Sequence, residues 1–179
     1  MVKNMEQQLL DTDTAGDLKI VASKNSSPND FDFLVGSWRI QNRKLNTRLN
    51  NCHEWTEFDA LGKCRKILLG FGNIDDFRTE FNDKPFEGMA LRLFNPKTKL
   101  WSIYWADSNV VVIDVAQVGS FTDNIGKFYA KDVFGGKEII VLYQWDKTNG
   151  DVPIWSQAFS PDNGKTWEWN WYMTFHRQP

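Results

Sequence analysis

The sequence has little cysteine and little histidine. Its 179 residues contain two of each, Cys52, Cys64, His53 and His176. A structural zinc site needs about four clustered nitrogen, sulfur or oxygen ligands, and the chain has no Cys-x-x-Cys pair. We therefore expect no metal site. The two cysteines are predicted on adjacent hairpin strands, where a disulfide is geometrically allowed. We expect free thiols, because the location predicted below is the cytoplasm.

A charge bias, a long apolar run and a signal peptide are also missing. The formal net charge is −2, which gives no general attraction for phosphate backbones and argues against nucleic acid as a partner. No run of about 18 or more apolar residues is present, so the sequence predicts no membrane span. The N-terminal segment lacks an apolar signal core, which predicts a cytoplasmic location. Gly-x-Ser-x-Gly and phosphate-loop motifs do not occur.

Aromatic residues are what the sequence has in excess. They make up 15% of the chain, with nine tryptophans and thirteen phenylalanines. Large planar side chains suit pleated, half-buried surfaces, so this excess favours strands. From residue 31 onward, short apolar and aromatic segments alternate with turn residues, and no segment of helical length has a 3.6-residue period. The predicted strands are 37–45, 52–60, 64–74, 86–94, 99–107, 110–121, 126–134, 137–146, 153–160 and 165–177.

Such a meander predicts a closed sheet, because an open one would leave two unpaired edges. We therefore predict an all-β fold in which residues 31–179 form an antiparallel up-and-down β-barrel of about ten strands. Residues 1–30 are polar, contain no aromatic residue and are predicted to be a flexible or strap-like extension. A barrel of this strand number has room for a small ligand or for a fully packed interior.

Several predicted strands carry aromatic side chains on both faces. Strict alternation places Trp167, Trp169 and Trp171 on one face of the last strand and Asn170 on the other. Two interpretations follow. One aromatic set packs the core while the other covers a homodimer interface or the N-terminal extension. Alternatively, the interior is a cavity with aromatic walls and a few polar anchors, a mixture that is common in ligand sites.

The segment Phe31–Trp38, with the sequence FDFLVGSW, resembles the start of a lipocalin barrel. In lipocalins a short turn leads into a Gly-x-Trp whose indole closes one end of the barrel. A basic residue of the closing strand packs across that tryptophan, and Arg177 matches it here. The resemblance implies that Trp38 closes one end of the barrel under Arg177.

More of the chain is similar to a family of uncharacterised bacterial proteins with a lipocalin-like, calycin-type barrel. The resemblance implies the fold and implies no reaction. The apolar run after Asp107 departs from the family pattern. The matching stretches, within residues 31–177, are GFGNIDDF at 70–77, FEGMALRLFNPKTKLWSIYWADS at 86–108 and WSQAFSPDNGKTWEWNWYMTF at 155–175.

The first functional interpretation is a binding protein that holds a small, mostly apolar or aromatic molecule in the barrel. Arg92 and Tyr104 are expected on matching faces of neighbouring strands, where an interior guanidinium needs a carboxylate or an anionic ligand. For Arg92 the alternative is an outward position in which it stacks on aromatic surface. For Gln157 and Asn170 the alternative is a structural pairing of their side-chain amides across adjacent strands. The candidate anchors are Arg92, Tyr104, Gln157 and Asn170, and the candidate wall or plug residues are Trp105, Trp155 and Trp171.

The second interpretation is a cofactor-independent isomerase, cyclase or hydrolase, and the third is a homodimeric interaction module. Asn73, Asp75 and Asp76 are expected to cap a turn. His176 is not expected to bind haem, because no haem motif accompanies it. The face that carries His53, Trp55 and Glu57 is expected to be solvated. The candidate acid or base of an enzyme is Glu57, Asp75, Glu87 or His53.

Overall fold

The computed structural model describes residues 10–14, 16–81 and 83–179. Ten strands and two short 3-10 helices, Asp32–Leu34 and Leu68–Gly70, are found in this part of the chain. The strands are β1 (Gly36–Leu45), β2 (Trp55–Ile67), β3 (Gly72–Phe81), β4 (Lys84–Asn95), β5 (Leu100–Asp107), β6 (Gln117–Thr122), β7 (Ile125–Phe134), β8 (Lys137–Asp146), β9 (Ile154–Ser160) and β10 (Glu168–Arg177).

The sheet is a closed, antiparallel, up-and-down barrel. Every strand pairs with its neighbour in sequence, and β1 also pairs with β10. That last pairing runs from Trp38 opposite Arg177 to Lys44 opposite Trp171. The predicted all-β, ten-stranded, lipocalin-like barrel is confirmed. Closure pairs the backbone N–H and C=O groups that two edge strands would leave free, and it encloses the inward-facing side chains.

One end of the barrel is closed by the chain that enters β1. Trp38 is almost fully buried, and its Nε1 donates to the carbonyl of Leu34 at 2.7 Å. The Arg177 guanidinium lies 4.3 Å from the centre of the Trp38 ring and donates to the carbonyls of Phe33 and Val35. The arrangement that the lipocalin resemblance implies is therefore present. The opposite end, where β1 ends at Leu45, is called the mouth below.

The predicted turn at 61–63 and the boundaries of the strands around it are wrong. β2 continues through Gly62 to Ile67, and the turn lies at Leu68–Gly70, where Leu68 and Leu69 have positive φ of 50° and 55°. Gly62 is needed for close packing, because a Cβ there would lie 2.8 Å from the carbonyl oxygen of Asp76 on β3. Asn73, Asp75 and Asp76 consequently belong to β3 and do not cap a turn.

The apolar run that begins at Val110 is a loop and not the start of a strand. β6 starts only at Gln117 and pairs with β5 over three residue pairs. The Asp107 carboxylate accepts hydrogen bonds from the backbone of Asn109 and Val110, which turns the chain away from β5. Val110, Val111, Val112, Ile113 and Val115 are exposed as a result.

A bulge in β10 changes the predicted faces of the last strand. Trp169 pairs with Ala158 and Trp171 pairs with Gln157, so Asn170 is the extra residue of the bulge. Trp169 therefore points outward, where it stacks on Tyr172, while Asn170 is fully buried and Trp171 faces the interior. The prediction that Trp169 and Trp171 share a face is wrong for this reason.

Residues 16–30 lie against the barrel at several points. The Ser23 amide donates to the Ser120 hydroxyl at 2.9 Å, and the Trp101 indole donates to the carbonyl of Ser27 at 3.2 Å. Residues 1–9 of the predicted extension lie outside the described residues, and its boundary at residue 30 remains a prediction.

Cys52 and Cys64 are free thiols, as expected. None of the helices in the described residues has the length and apolar character to cross a membrane.

Candidate functional site

The barrel contains a cavity of about 240 Å³ that opens at the mouth. Alternation along the strands directs one side-chain set from each strand into it. Its walls are largely aromatic and aliphatic. The tryptophans among them are Trp105, Trp145, Trp155 and Trp171, joined by Phe77, Phe134, Phe159 and Phe175.

Most of the predicted ligand-binding residues line this cavity. Trp105, Trp155 and Trp171 form part of its wall, and Arg92 and Gln157 contribute polar surface. Trp155 and Trp171 meet edge to face with ring centres 5.6 Å apart. These five side chains come from strands β4, β5, β9 and β10.

Tyr104 and Asn170 differ from their predicted roles. Tyr104 borders the cavity, but its strand partner is Leu91, whereas the partner of Arg92 is Ile103. Arg92 and Tyr104 are therefore not on matching faces. Asn170 lies behind the cavity wall, where its Oδ1 accepts a hydrogen bond of 2.7 Å from Gln157 Nε2. The structural pairing of the two amides is thus present, and it fixes the orientation of Gln157.

A buried ion pair lies beside the cavity. Arg92 is 4% exposed and pairs with the carboxylate of Asp75, and its Nη1 also donates to Asn73 Oδ1 at 2.9 Å. Burial raises the pKa of Asp75, and the charge of Arg92 opposes that rise. Asn73 and Asp75 reach the interior because β3 directs them inward with Phe77. The Arg92 guanidinium also lies 5.3 Å and 5.6 Å from the rings of Phe31 and Trp145.

Three buried polar atoms deep in the cavity have no hydrogen-bond partner among the described residues. They are Arg92 Nε, Gln117 Oε1 and Trp145 Nε1. Gln117 and Trp145 are 2% and 1% exposed, and all three side chains line the cavity. A buried donor or acceptor without a partner costs about 1–3 kcal/mol, so such atoms are rare in folded proteins. We call these three side chains the cavity floor.

The mouth carries charges of both signs. Lys44 and Arg48 line it on the side of β1 and the loop after it, and Asp107, Asp114 and Asp132 line it on the side of β5 to β7. Burial and the neighbouring Arg48 lower the pKa of Lys44 to about 8, and Asp107 opposes that shift. Burial raises the pKa of Asp114, and Asp132 and Asp107 add to it. No group of His, Cys, Asp and Glu in the described residues is arranged to hold a metal ion.

Only one of the predicted acid or base candidates is inside. Asp75 lines the cavity, whereas Glu57 pairs with Arg43 at 3.8 Å on the outside of the barrel. Glu87 and His53 are exposed and do not line the cavity. Trp55 packs on Tyr172 on the outer face, which agrees with the expectation for that side of β2. His176 points away from the interior and contacts Gln41 Oε1 at 2.9 Å.

Sequence reasoning missed Lys44, Arg48, Gln117 and Trp145. Gln117 was hidden because the predicted sixth strand began seven residues too early, at 110 instead of 117. Trp145 alternates with Tyr143 and Val141 on β8, and this pattern was visible in the sequence. Lys44 alternates with Asn42, Ile40 and Trp38 on β1, but a lysine near a strand end is usually solvated.

The barrel resembles that of an S-type phycobiliprotein lyase. The solved structure of that protein, from Guillardia theta, superimposes with a TM-score of 0.58 and covers 87% of this chain and 94% of the lyase chain. The two sequences are 11% identical, so the similarity is one of fold. The sequence matches no protein-family model and none of the curated proteins.

Proposed function

We propose that this protein binds a small aromatic molecule with at least one polar group in the barrel cavity. The observation that carries the proposal is the cavity floor, three buried polar atoms without partners beneath aromatic walls. A bound group that hydrogen-bonds to them would remove the cost of their burial. A ligand hydroxyl suits the chemistry of the floor, because a hydroxyl can accept from an N–H such as that of Arg92 or Trp145 and can donate to an oxygen such as Gln117 Oε1.

The size of the cavity limits the ligand. An apolar cavity of about 150 Å³ is known to hold benzene, and a water molecule takes about 30 Å³ in the liquid. The 240 Å³ here therefore suits one aromatic ring with a few further atoms. An open-chain tetrapyrrole such as biliverdin, with four rings, is too large to be enclosed. Similarity to a phycobiliprotein lyase thus supports ligand binding in the barrel more than it supports a ligand of that size.

The proposal is tested by calorimetric titration with 4-ethylphenol, ethylbenzene and biliverdin. We expect 4-ethylphenol to bind with one site per chain and ethylbenzene to bind about tenfold more weakly, because it leaves the floor unpaired. Biliverdin is expected not to bind inside the cavity. The absence of saturable binding by 4-ethylphenol would contradict the proposal.

A matched pair of variants locates the binding. Ala90 is 6% exposed and lines the cavity, whereas Ala106 on the neighbouring strand does not. Ala90→Leu adds three carbon atoms to the cavity and should weaken 4-ethylphenol binding at least about tenfold. Ala106→Leu should leave the affinity unchanged. Equal affinities in both variants would place the ligand elsewhere.

Proton transfer in the cavity is the second candidate function. It is favoured by Asp75, a carboxylate with a raised pKa in the cavity wall. In that case Asp75 would exchange a proton with a bound substrate, and Arg92 would hold its position. Asp75→Asn should then abolish turnover of a bound substrate while the substrate still binds. Unchanged turnover in this variant would exclude Asp75 as the acid or base.

A further inference from the structure

The cavity adjoins a groove at the mouth. The groove has a volume of about 460 Å³ and shares four lining residues with the cavity. These four residues, Lys44, Trp105, Asp107 and Trp171, are called the gate below. The gate therefore presents one cation and one carboxylate between two indole rings, at the point where any ligand of the cavity would have its outer end.

Two cations lie at the mouth, Lys44 in the gate and Arg48 beside it. Neither makes an ion pair with any of the described residues, although Asp107 attracts Lys44 and Glu168 attracts Arg48 from further away. Lys44 Nζ instead lies 3.9 Å from the centre of the Trp171 ring, and the Arg48 guanidinium lies 5.6 Å from that of Phe159. Arg48 Nε is buried and has no hydrogen-bond partner within the described part of the chain. Two half-buried cations beside each other repel, and a bound anionic group would relieve that repulsion.

Three carboxylates lie on the other side of the mouth, and of these Asp107 attracts Lys44 only from beyond ion-pair distance. Asp107, Asp114 and Asp132 are absent from every ion pair found among the described residues. Asp107 accepts hydrogen bonds from the Trp105 indole and from the backbone of Asn109 and Val110, and Asp132 accepts one from the backbone of Val133. Their mutual repulsion favours a positive group or an N–H donor between them.

We propose that the ligand is a zwitterion of the aromatic amino-acid type, with its ring in the cavity and its charged head at the gate. The head would place its carboxylate against Lys44 and Arg48 and its ammonium group against Asp107. This inference rests on the proposed function and names the class of its ligand. The independent sign of a ligand is the cavity floor, whose buried and unpartnered atoms lie beyond the ring.

Ligands with one charge or none fit the gate less well. An aromatic acid would satisfy the two cations but would bring a further negative charge toward three carboxylates. An aromatic amine would satisfy Asp107 but would add a third positive charge beside Lys44 and Arg48. A neutral ligand leaves both sides unpaired. Only a head with both charges pairs with both sides, and hydrogen bonds to charged groups are stronger than those between neutral groups.

The inference is tested with four phenols that differ only in their charged head. They are 4-ethylphenol, 3-(4-hydroxyphenyl)propanoate, tyramine and tyrosine, titrated calorimetrically into the full chain at pH 7. We expect tyrosine to bind at least about tenfold more tightly than each of the others. If tyrosine binds no better than 4-ethylphenol or either singly charged compound, the inference of a zwitterionic ligand is wrong. The proposed binding of an aromatic molecule in the cavity is then unaffected. If none of the four binds, the proposed function is wrong as well.

Two gate variants assign the charges. Lys44→Met should weaken tyrosine and the propanoate about tenfold and should not weaken tyramine, because it removes a positive charge that repels the amine. Asp107→Asn keeps the oxygen that holds the loop, and it should weaken tyrosine and tyramine and should not weaken the propanoate. Lys97→Met, in an exposed turn at the closed end, is the control. Binding of 4-ethylphenol shows that each variant is folded, and Lys44→Gln replaces any Lys44→Met protein that is not. Variants that weaken all four ligands equally, or none, would overturn the inference.

Discussion

Arg92 and Asp75 are opposite charges that lie side by side in the barrel wall. Removing one member of a buried pair leaves the other charge without compensation, at a cost of about 3–5 kcal/mol. We expect Arg92→Met to lower the free energy of unfolding by that amount at pH 7. Asp75→Asn should also be destabilising, because Arg92 then loses its carboxylate. Urea unfolding measures both, and the double variant should lose less than the sum of the two single losses. Additive losses would mean that the pair does not interact.

The same ion pair predicts how acidic pH affects the stability of the Arg92→Met variant. Without Arg92 the pKa of Asp75 rises further, because burial and the neighbouring Asp76 both raise it and the charge that opposes them is gone. A carboxyl with a raised folded-state pKa binds more protons in the folded than in the unfolded state, so its contribution to stability falls as pH rises through that range. Arg92→Met should therefore regain part of its lost stability when the pH is lowered from 7 to 5. The wild-type protein, measured in parallel, should gain less.

The pKa of Lys44 predicts how the stability of the protein changes at alkaline pH. Its pKa is about 8 in the folded protein, with 10.5 as its ordinary value. The unfolded state therefore binds more protons between these values, and stability rises with pH across this window. The groups that face Lys44 are Arg48, Asp107 and the Trp171 ring. From pH 7 to 10 we expect the wild type to gain on the order of 2–3 kcal/mol relative to Lys44→Met. The exposed variant Lys97→Met should follow the wild type, and no difference between the two variants would contradict the lowered pKa.

At the scale of the strands, Gly119 shows how closely β6 and β7 approach. A Cβ at this position would lie 1.9 Å from the carbonyl oxygen of Lys127, which is backbone and has little freedom to move. Gly119→Ala should therefore force the two strands apart and cost at least about 3 kcal/mol in chemical unfolding. Gly150→Ala meets no atom within 4 Å and should change stability by less than about 0.5 kcal/mol. Equal stabilities of the two variants would mean that β6 adjusts to the methyl group.

The strands also show where sequence patterns lose information. Along β9 the alternating residues Trp155, Gln157 and Phe159 share one face and line the cavity, because that strand has no interruption. On β10 the same rule fails, since one extra residue at Asn170 reverses the faces of everything before it. The apolar run from Val110 has strand composition, but the hydrogen bonds of Asp107 direct it into a loop. Bulges and turns of this kind depend on contacts that composition does not reveal.

For the whole molecule, the fold was more predictable than the site. Ten apolar segments with turn residues between them, and a Gly-x-Trp followed much later by Arg177, were enough to predict a closed barrel. The cavity depends instead on which side chains leave space at the centre, which no local pattern encodes. Asp75 illustrates this limit. In the sequence it stands beside Asp76 after two glycines and resembles a turn, yet β3 turns one aspartate inward to Arg92 and the other outward to Arg78.

Arg177 connects the two ends of the barrel sheet, and this predicts how the whole barrel unfolds. Its guanidinium reaches the carbonyls of Val35 and Phe33, which are 142 and 144 residues away in the chain, and covers Trp38. Arg177→Met should cost about 1–2 kcal/mol, or about 2–8 °C in melting temperature. Far-UV circular dichroism and tryptophan fluorescence should shift together, because the β1–β10 pairing closes the entire sheet. Arg39→Met removes an exposed ion pair with Asp59. The free energy of unfolding measured by either signal should change by less than about 0.5 kcal/mol in this variant. If fluorescence alone shifts in Arg177→Met, the closed end unfolds separately from the barrel.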